Sequence, residues 1–261
     1  MAKTLERKSI PEFIEDVKDE YSPETAKIVG DEAAKIEPGQ HHLQYERAIY
    51  IAIMPDDSSS IAGMNELKRD NTQDVIDGHN MMIDALKGSR EARYILFKTH
   101  YLNSDTPLNN WVPLDKAVRM TRDNFKPSGG TPLYDKTLSL LTSVIYEKNE
   151  AEKRGQQARW AILLITDGDD TSSKATADKV KIILDDMRAN EELLPNCEPD
   201  NTRAGSIALA GIEDRETDPN AGAYFEQIAY SMGIGWLLHV NRMNPTEMRR
   251  AFNTFSVKVT G

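Results

Sequence analysis

Five short aliphatic runs, separated by helical patterns, restrict what this chain can fold into. They are RAIYIAIM (47–54), RYILFKTH (93–100), WAILLIT (160–166), SIALAGI (206–212) and WLLHV (236–240). None shows the strict polar alternation of a half-exposed strand, so each suits a strand covered on both faces, as in a parallel sheet. Helical spacing fills the intervals. Val75, Ile76, His79, Met82, Ile83 and Leu86 share one face; Leu133, Leu140, Leu141, Val144 and Ile145 share another. Val180, Ile183, Leu184 and Met187 follow, then Phe225, Ile228 and Ala229. Strands alternating with helices predict a doubly wound α/β sheet. NPTEMRRAFNTFSV reads as a closing helix, with Asn244 as its cap and Pro245 at its first position.

Ahead of the first strand, Ile10, Phe13, Ile14, Val17 and Tyr21 recur at helical spacing, and SPETAKIVGDEAAKIE reads as a second, weaker helix ending before Pro38 and Gly39. We therefore expect a helical extension over 1–43 and the main domain over 44–261. Packed back, the Ile10, Phe13, Ile14, Val17 stripe would complete the core; exposed, it would be an interaction site.

Composition narrows the function. At 261 residues and 39% hydrophobic content, the chain can bury a full core without a disulfide or structural metal. Its 32 Lys and Arg against 42 Asp and Glu give a net charge of −10, which argues against nucleic acid or an anionic membrane as the partner. Cys197 is the single cysteine, so a reducing compartment is expected. The first residues lack the apolar core of a signal peptide, and no stretch approaches the roughly 18 apolar residues of a membrane span. A cytoplasmic protein is the expectation.

Ligands of open α/β sheets bind beyond the carboxyl ends of the strands, and three polar clusters fall there. Asp56, Ser58 and Ser60 form a D-x-S-x-S pattern after the first run. Ser128-Gly129-Gly130-Thr131-Pro132 opens a helix, with Thr131 expected as its cap and Pro132 at its first position. Thr166-Asp167-Gly168 follows WAILLIT. Any one of these reads as an ordinary turn or helix start. Together, in order, they present hard oxygen donors of the kind Mg²⁺ or Mn²⁺ takes.

From about Tyr45 onward the sequence resembles the von Willebrand factor A family, whose metal-ion-dependent adhesion site is D-x-S-x-S, then a Thr, then an Asp. The string GGTPLYD is similar to that of bacterial and cytosolic members. The resemblance implies a Rossmann-like, mainly parallel six-stranded sheet flanked by helices, and a metal site of Asp56, Ser58, Ser60, Thr131 and Asp167. It implies Mg²⁺ or Mn²⁺, with Ca²⁺ as an alternative. The serines and the threonine would approach the ion directly, the aspartates largely through water. Mainly neutral ligands leave the cation able to grip an Asp or Glu carboxylate of a partner protein. The implied role is a non-enzymatic interaction module, a scaffold beside an ATPase, kinase or phosphatase.

Some positions depart from the family pattern. Ser59 stands where Gly is usual, Ile61 follows the second serine, and Ser60 to Gly88 is long, with a polar stretch from Lys68 to Asp74 expected to kink or add a turn beside the site. Asp57, Gly130, Asp169 and Asp170 are flanking candidates, with Asp214, Glu216 and Asp218 in a further acidic loop. The bland expectation for these carboxylates is solvated turns. His41 and His42 read as linker, and Cys197 has no neighbouring His to make it a nucleophile. Two other functions stay open. One is a Mg²⁺-dependent phosphohydrolase, disfavoured by the lack of G-x-x-x-x-G-K-[ST], of D-x-D after the first strand and of paired His. The other is a structural subunit docked through its N-terminal helices.

Overall fold

The computed structural model describes residues 9–41, 43–63, 70–168, 170–200, 204–216, 218 and 220–260. Two short helices come first, α1 (Ile10–Glu20) and α2 (Pro23–Ala33). Ser9 and Glu12 close a capping box on α1: the Ser9 N–H donates to Glu12 Oε2 at 2.8 Å and the Glu12 N–H to Ser9 Oγ at 3.5 Å. The second helix ends earlier than the sequence pattern suggests, and the described residues between Ala34 and Glu46 lie outside any helix or strand.

The main domain runs β1 (Arg47–Pro55), α3 (Thr72–Lys87), β2 (Ile95–Thr99), β3 (Asn109–Pro113), α4 (Leu133–Lys153), β4 (Gln157–Thr166), α5 (Ala177–Ala189), β5 (Ser206–Glu213), α6 (Ala221–Met232), β6 (Trp236–Asn241) and α7 (Pro245–Thr260). All five aliphatic runs are strands. β3 was not marked by any such run; it is an edge strand and pairs antiparallel with β2, while every other pairing is parallel. The order β3-β2-β1-β4-β5-β6 reverses direction between β1 and β4. That reversal is the switch point of a doubly wound sheet, where the loops splay apart and leave a crevice.

Burial explains the apolar runs. Residues 48–55 of β1 and 160–166 of β4 are buried throughout, covered on both faces. Helices α3 and α7 pack against each other closely enough that a Cβ at Gly78 would lie 2.3 Å from the Phe252 ring, so glycine is required there. The N-terminal helices cover α4 and α5: Phe13 meets the Tyr146 ring edge-on at 5.1 Å, the Tyr21 hydroxyl donates to Glu192 at 2.7 Å, and the Ser22 N–H donates to Asp186 at 2.9 Å. Phe13 and Val17 are buried and Ile10 and Ile14 pack against the same core, so the apolar stripe faces inward. Among the described residues no helix is long and apolar enough to cross a membrane.

Candidate metal centre

The switch point places Asp56 and Asp167 side by side. Pro55 and Ile165 are register partners at the ends of β1 and β4, so the residues that follow emerge together, and the Asp56 N–H donates to the Ile165 carbonyl at 2.9 Å. Asp56 then folds back on its own turn: Oδ1 accepts the Ser58 N–H at 2.8 Å and Oδ2 accepts the Thr166 hydroxyl at 2.8 Å. Such a bond to the backbone two residues on is what fixes a tight Asx turn. Ser58 Oγ and Ser60 Oγ lie 2.9 Å apart, and the Ser60 hydroxyl donates to Asp167 Oδ1 at 2.6 Å. Four of the five expected site residues thus form one hydrogen-bonded set.

The Thr131 segment is brought against this set by backbone contacts. Gly129 O accepts both the N–H and the hydroxyl of Ser59 at 3.2 Å, and the Ser128 N–H donates to Asp57 O at 2.6 Å. Gly129 sits at φ +79°, and a Cβ there would fall 2.4 Å from Asn103 Nδ2; both the left-handed backbone and the space demand glycine. Ser59, which the family pattern makes a departure, is therefore a tether between the first and second loops.

Thr131 is not the cap of α4, which begins at Leu133 with Pro132 at the cap position. The cap arrives from the third loop, where Asp170 Oδ2 accepts the Tyr134 N–H at 3.0 Å and Oδ1 accepts Ser173 N–H at 2.9 Å. Proline 132 offers no side-chain acceptor, so another residue has to supply one. Thr131 itself is buried and exchanges two bonds with Thr171: its N–H donates to Thr171 Oγ1 at 2.8 Å and its carbonyl accepts the Thr171 N–H at 2.9 Å.

The flanking candidates separate. Asp57 is buried and spends its carboxylate on the backbone N–H groups of Asn103 and Ser104. Asp170 caps α4, as above. Gly130 passes close to the third loop, its notional Cβ 3.1 Å from Thr171 Oγ1 and Ser172 Oγ. Asp169 and His42 lie outside the described residues, as does 64–69 of the long connection; the remainder of that connection enters α3 at Thr72. Glu216 and Asp218 are exposed and Asp214 is half-buried. Cys197, set in a polar string, is fully buried, with Sγ accepting from Arg188 Nη2 at 3.1 Å and the Gly235 N–H at 3.3 Å.

Sequence motifs do not reveal Arg242 or Asn71, yet both enter the centre. Arg242, 1% exposed at the end of β6, donates from Nη1 to Ser60 O and to Asn71 Oδ1, both at 3.1 Å, and its Nη2 donates to Asp167 Oδ2. Asn71 answers by donating Nδ2 to Arg242 O at 2.9 Å. The only available signal was position, since Arg242 follows directly on a strand end.

A divalent cation suits this donor set. Two carboxylates and the two serine hydroxyls supply hard oxygens, with Thr131 on the adjoining loop, and among the described residues no three His, Cys, Asp or Glu side chains converge on an alternative metal site. Burial first, and then the charge of Asp167, push the Asp56 carboxyl up to about 6. Two desolvated carboxylates beside a single guanidinium leave negative charge that a cation would neutralise.

No family model and no curated relative matches the chain by sequence. Solved structures do match by fold. A PilB minor pilin from Streptococcus sanguinis is similar at a TM-score of 0.54 and 13% identity, over 84% of this chain and 63% of that one. The pilus adhesin SpaC from Lactobacillus rhamnosus GG, in its open conformation, is similar at 0.51 and 10%, over 85% of this chain and 31% of that one. The SpRpn10 VWA domain aligns at a TM-score of 0.47 and 12% identity, over 80% of this chain and 95% of that one. This chain therefore spans less than two thirds of the two pilus proteins. At such identities the likeness is one of fold alone: a six-stranded, mainly parallel α/β sheet flanked by helices.

Proposed function

We propose that this chain is a non-enzymatic, metal-dependent protein-interaction module of the von Willebrand factor A type. The observation that carries the reading is the linked set of Asp56, Ser58, Ser60 and Asp167 at the β1/β4 switch point, with Thr131 on the adjoining loop. The site would hold Mg²⁺ or Mn²⁺ through the hydroxyls of Ser58, Ser60 and Thr131. Asp56 and Asp167 would orient those hydroxyls and bound water, the task they already perform on Ser58, Ser60 and Thr166. A cation held mainly by neutral ligands keeps most of its charge for an Asp or Glu carboxylate of a partner protein. A scaffold in an intracellular assembly containing an ATPase, kinase or phosphatase fits such a module, and the lone, reduced Cys197 accords with a cytoplasmic setting.

Calorimetric titration with Mg²⁺ and Mn²⁺ should show one site in the native chain and none in Asp56→Ala. Affinity capture from native lysate should then yield a partner with Mg²⁺ and lose it in chelator. Undiminished capture in EDTA would overturn the metal-gripped carboxylate. Mg²⁺-dependent release of phosphate from a generic phosphoester, abolished by Asp167→Asn, would overturn the non-enzymatic reading in favour of a hydrolase.

A further inference from the structure

On another side of the molecule, a recess of about 50 Å³ lies between the segment leaving α2, the end of β2 and the first half of α4. One water needs roughly 10–15 Å³ by the same measure, so the space suits a group of about four oxygen-sized atoms. Its charged and titratable lining consists of Lys35, Glu37, Lys98, His100, Asp105 and Lys136. Three lysines and two carboxylates thus line one polar hollow, with Glu32 beside Lys35 and Glu147 near Lys98 just outside it.

The hydrogen bonds already made define what is left to offer. Lys98, 4% exposed, donates to Asn110 Oδ1 at 2.7 Å, which uses one of its three N–H donors. Lys136 pairs with Asp105 at 2.6 Å and Lys35 with Glu32 at 2.6 Å, again one partner each. His100 differs in kind. Its Nδ1 lies 2.8 Å from the Tyr101 carbonyl, which can only accept, so Nδ1 carries the proton and Nε2 of the neutral ring is an acceptor. Burial, and then the charge of Lys98, hold the ring at about 4, so it is neutral near pH 7. The recess therefore combines several ammonium donors with one imidazole acceptor.

We propose that this recess binds a phosphate group that retains a proton, either inorganic hydrogen phosphate or the terminal phosphate of a small monoester. The unprotonated oxygens would accept from Lys98, Lys136 and Lys35, and the P–OH would donate to His100 Nε2. A fully ionised oxyanion of the same shape meets the ammonium groups equally well but leaves the imidazole lone pair facing negative charge. Discrimination between phosphate and sulfate is the signature of this arrangement.

The full chain, in EDTA near pH 6.5, would be titrated calorimetrically with inorganic phosphate, glycerol phosphate and sulfate. One phosphate should bind per chain, at least tenfold more tightly than sulfate, and equally in Asp56→Ala, which separates the recess from the metal centre. The tighter of the two phosphate ligands identifies the source, and either supports the site. Lys136→Gln should weaken phosphate at least tenfold, with Lys98→Met as a second variant of similar length. His100→Phe should remove the preference over sulfate, and the His100 Nε2 resonance should move when phosphate is added to the native chain. Absence of saturable phosphate binding, equal affinity for sulfate, or unaltered binding in both lysine variants would overturn the proposal.

Discussion

Arg242 at the end of β6 and Asp167 at the end of β4 form a buried ion pair inside the candidate metal centre, spanning the sheet across β5. The same Asp167 carboxylate accepts Ser60 on its other oxygen. Under the proposed function the guanidinium would share this carboxylate with the cation.

Arg242→Met should therefore have two opposite effects. Without metal, leaving the buried Asp167 unpaired should cost about 3–5 kcal/mol, read by denaturant unfolding in EDTA. With the competing charge gone, Mg²⁺ should bind about tenfold more tightly, roughly 1.4 kcal/mol. Unchanged Mg²⁺ affinity would show that the guanidinium does not share Asp167 with the ion.

Asp170→Ala tests whether this carboxylate serves α4 or the metal. Loss of the bond to Tyr134 N–H should cost about 1–2 kcal/mol of stability, the usual range for a helix cap. Metal affinity should stay as in the native chain. A large loss of Mg²⁺ binding with intact stability would assign Asp170 to the ion instead.

Acid should weaken the fold through its buried histidines. Burial holds His79, whose Nε2 lies 2.9 Å from Thr99 Oγ1, down at about 4, against 6.5 for a free ring. Between those values the unfolded chain binds a proton that the native one refuses, so stability is full above about pH 6.5 and falls until about pH 4. His100 acts in the same direction. Asp56, raised to about 6, acts in the opposite one, because the native state holds its proton more firmly than the unfolded chain does. Asp57, raised by its burial, acts with Asp56, whereas Asp105 and Asp186, both lowered, act with the histidines. Four groups against two leave a net loss on acidification. Urea midpoints at pH 7 and pH 4.5 measure it, and His79→Gln should flatten the slope.

Phe13→Ala removes a ring seated between α1 and α4 and should cost about 3–5 kcal/mol, the usual price of a buried aromatic. Thermal unfolding should remain a single transition, because the N-terminal helices share the domain core. Two resolved transitions would show an extension that melts on its own.

Much of this architecture was legible because parallel strands covered on both faces announce themselves. β1, β4 and β5 are aliphatic nearly end to end, and their buried positions match. β3 was not legible for the converse reason. It is an antiparallel edge, NNWVP, containing Trp111 at φ +49°, and neither alternation nor an apolar run marks it. In the metal centre, Asp56, Ser58, Ser60 and Asp167 could be read because strand ends place them. Arg242 could not: it reaches the centre only through the order of the sheet, and local spacing carries no record of that order. The expected cap at Thr131 failed because a helix terminus accepts any well-placed acceptor, and the chain supplied one from 38 residues beyond Pro132, at Asp170.

The lacing of the third loop to the start of α4 also bears on how the module would carry load. Besides the Asp170 and Thr171 bonds, Asp135 accepts the N–H groups of Lys174 and Ala175 at 2.9 and 2.8 Å, and its own N–H donates to Ser173 at 3.0 Å. Links arranged in parallel divide a pulling force among themselves. Tension on the carboxylate ligand of the proposed module would therefore pass into the 21-residue α4 through several bonds at once rather than through one.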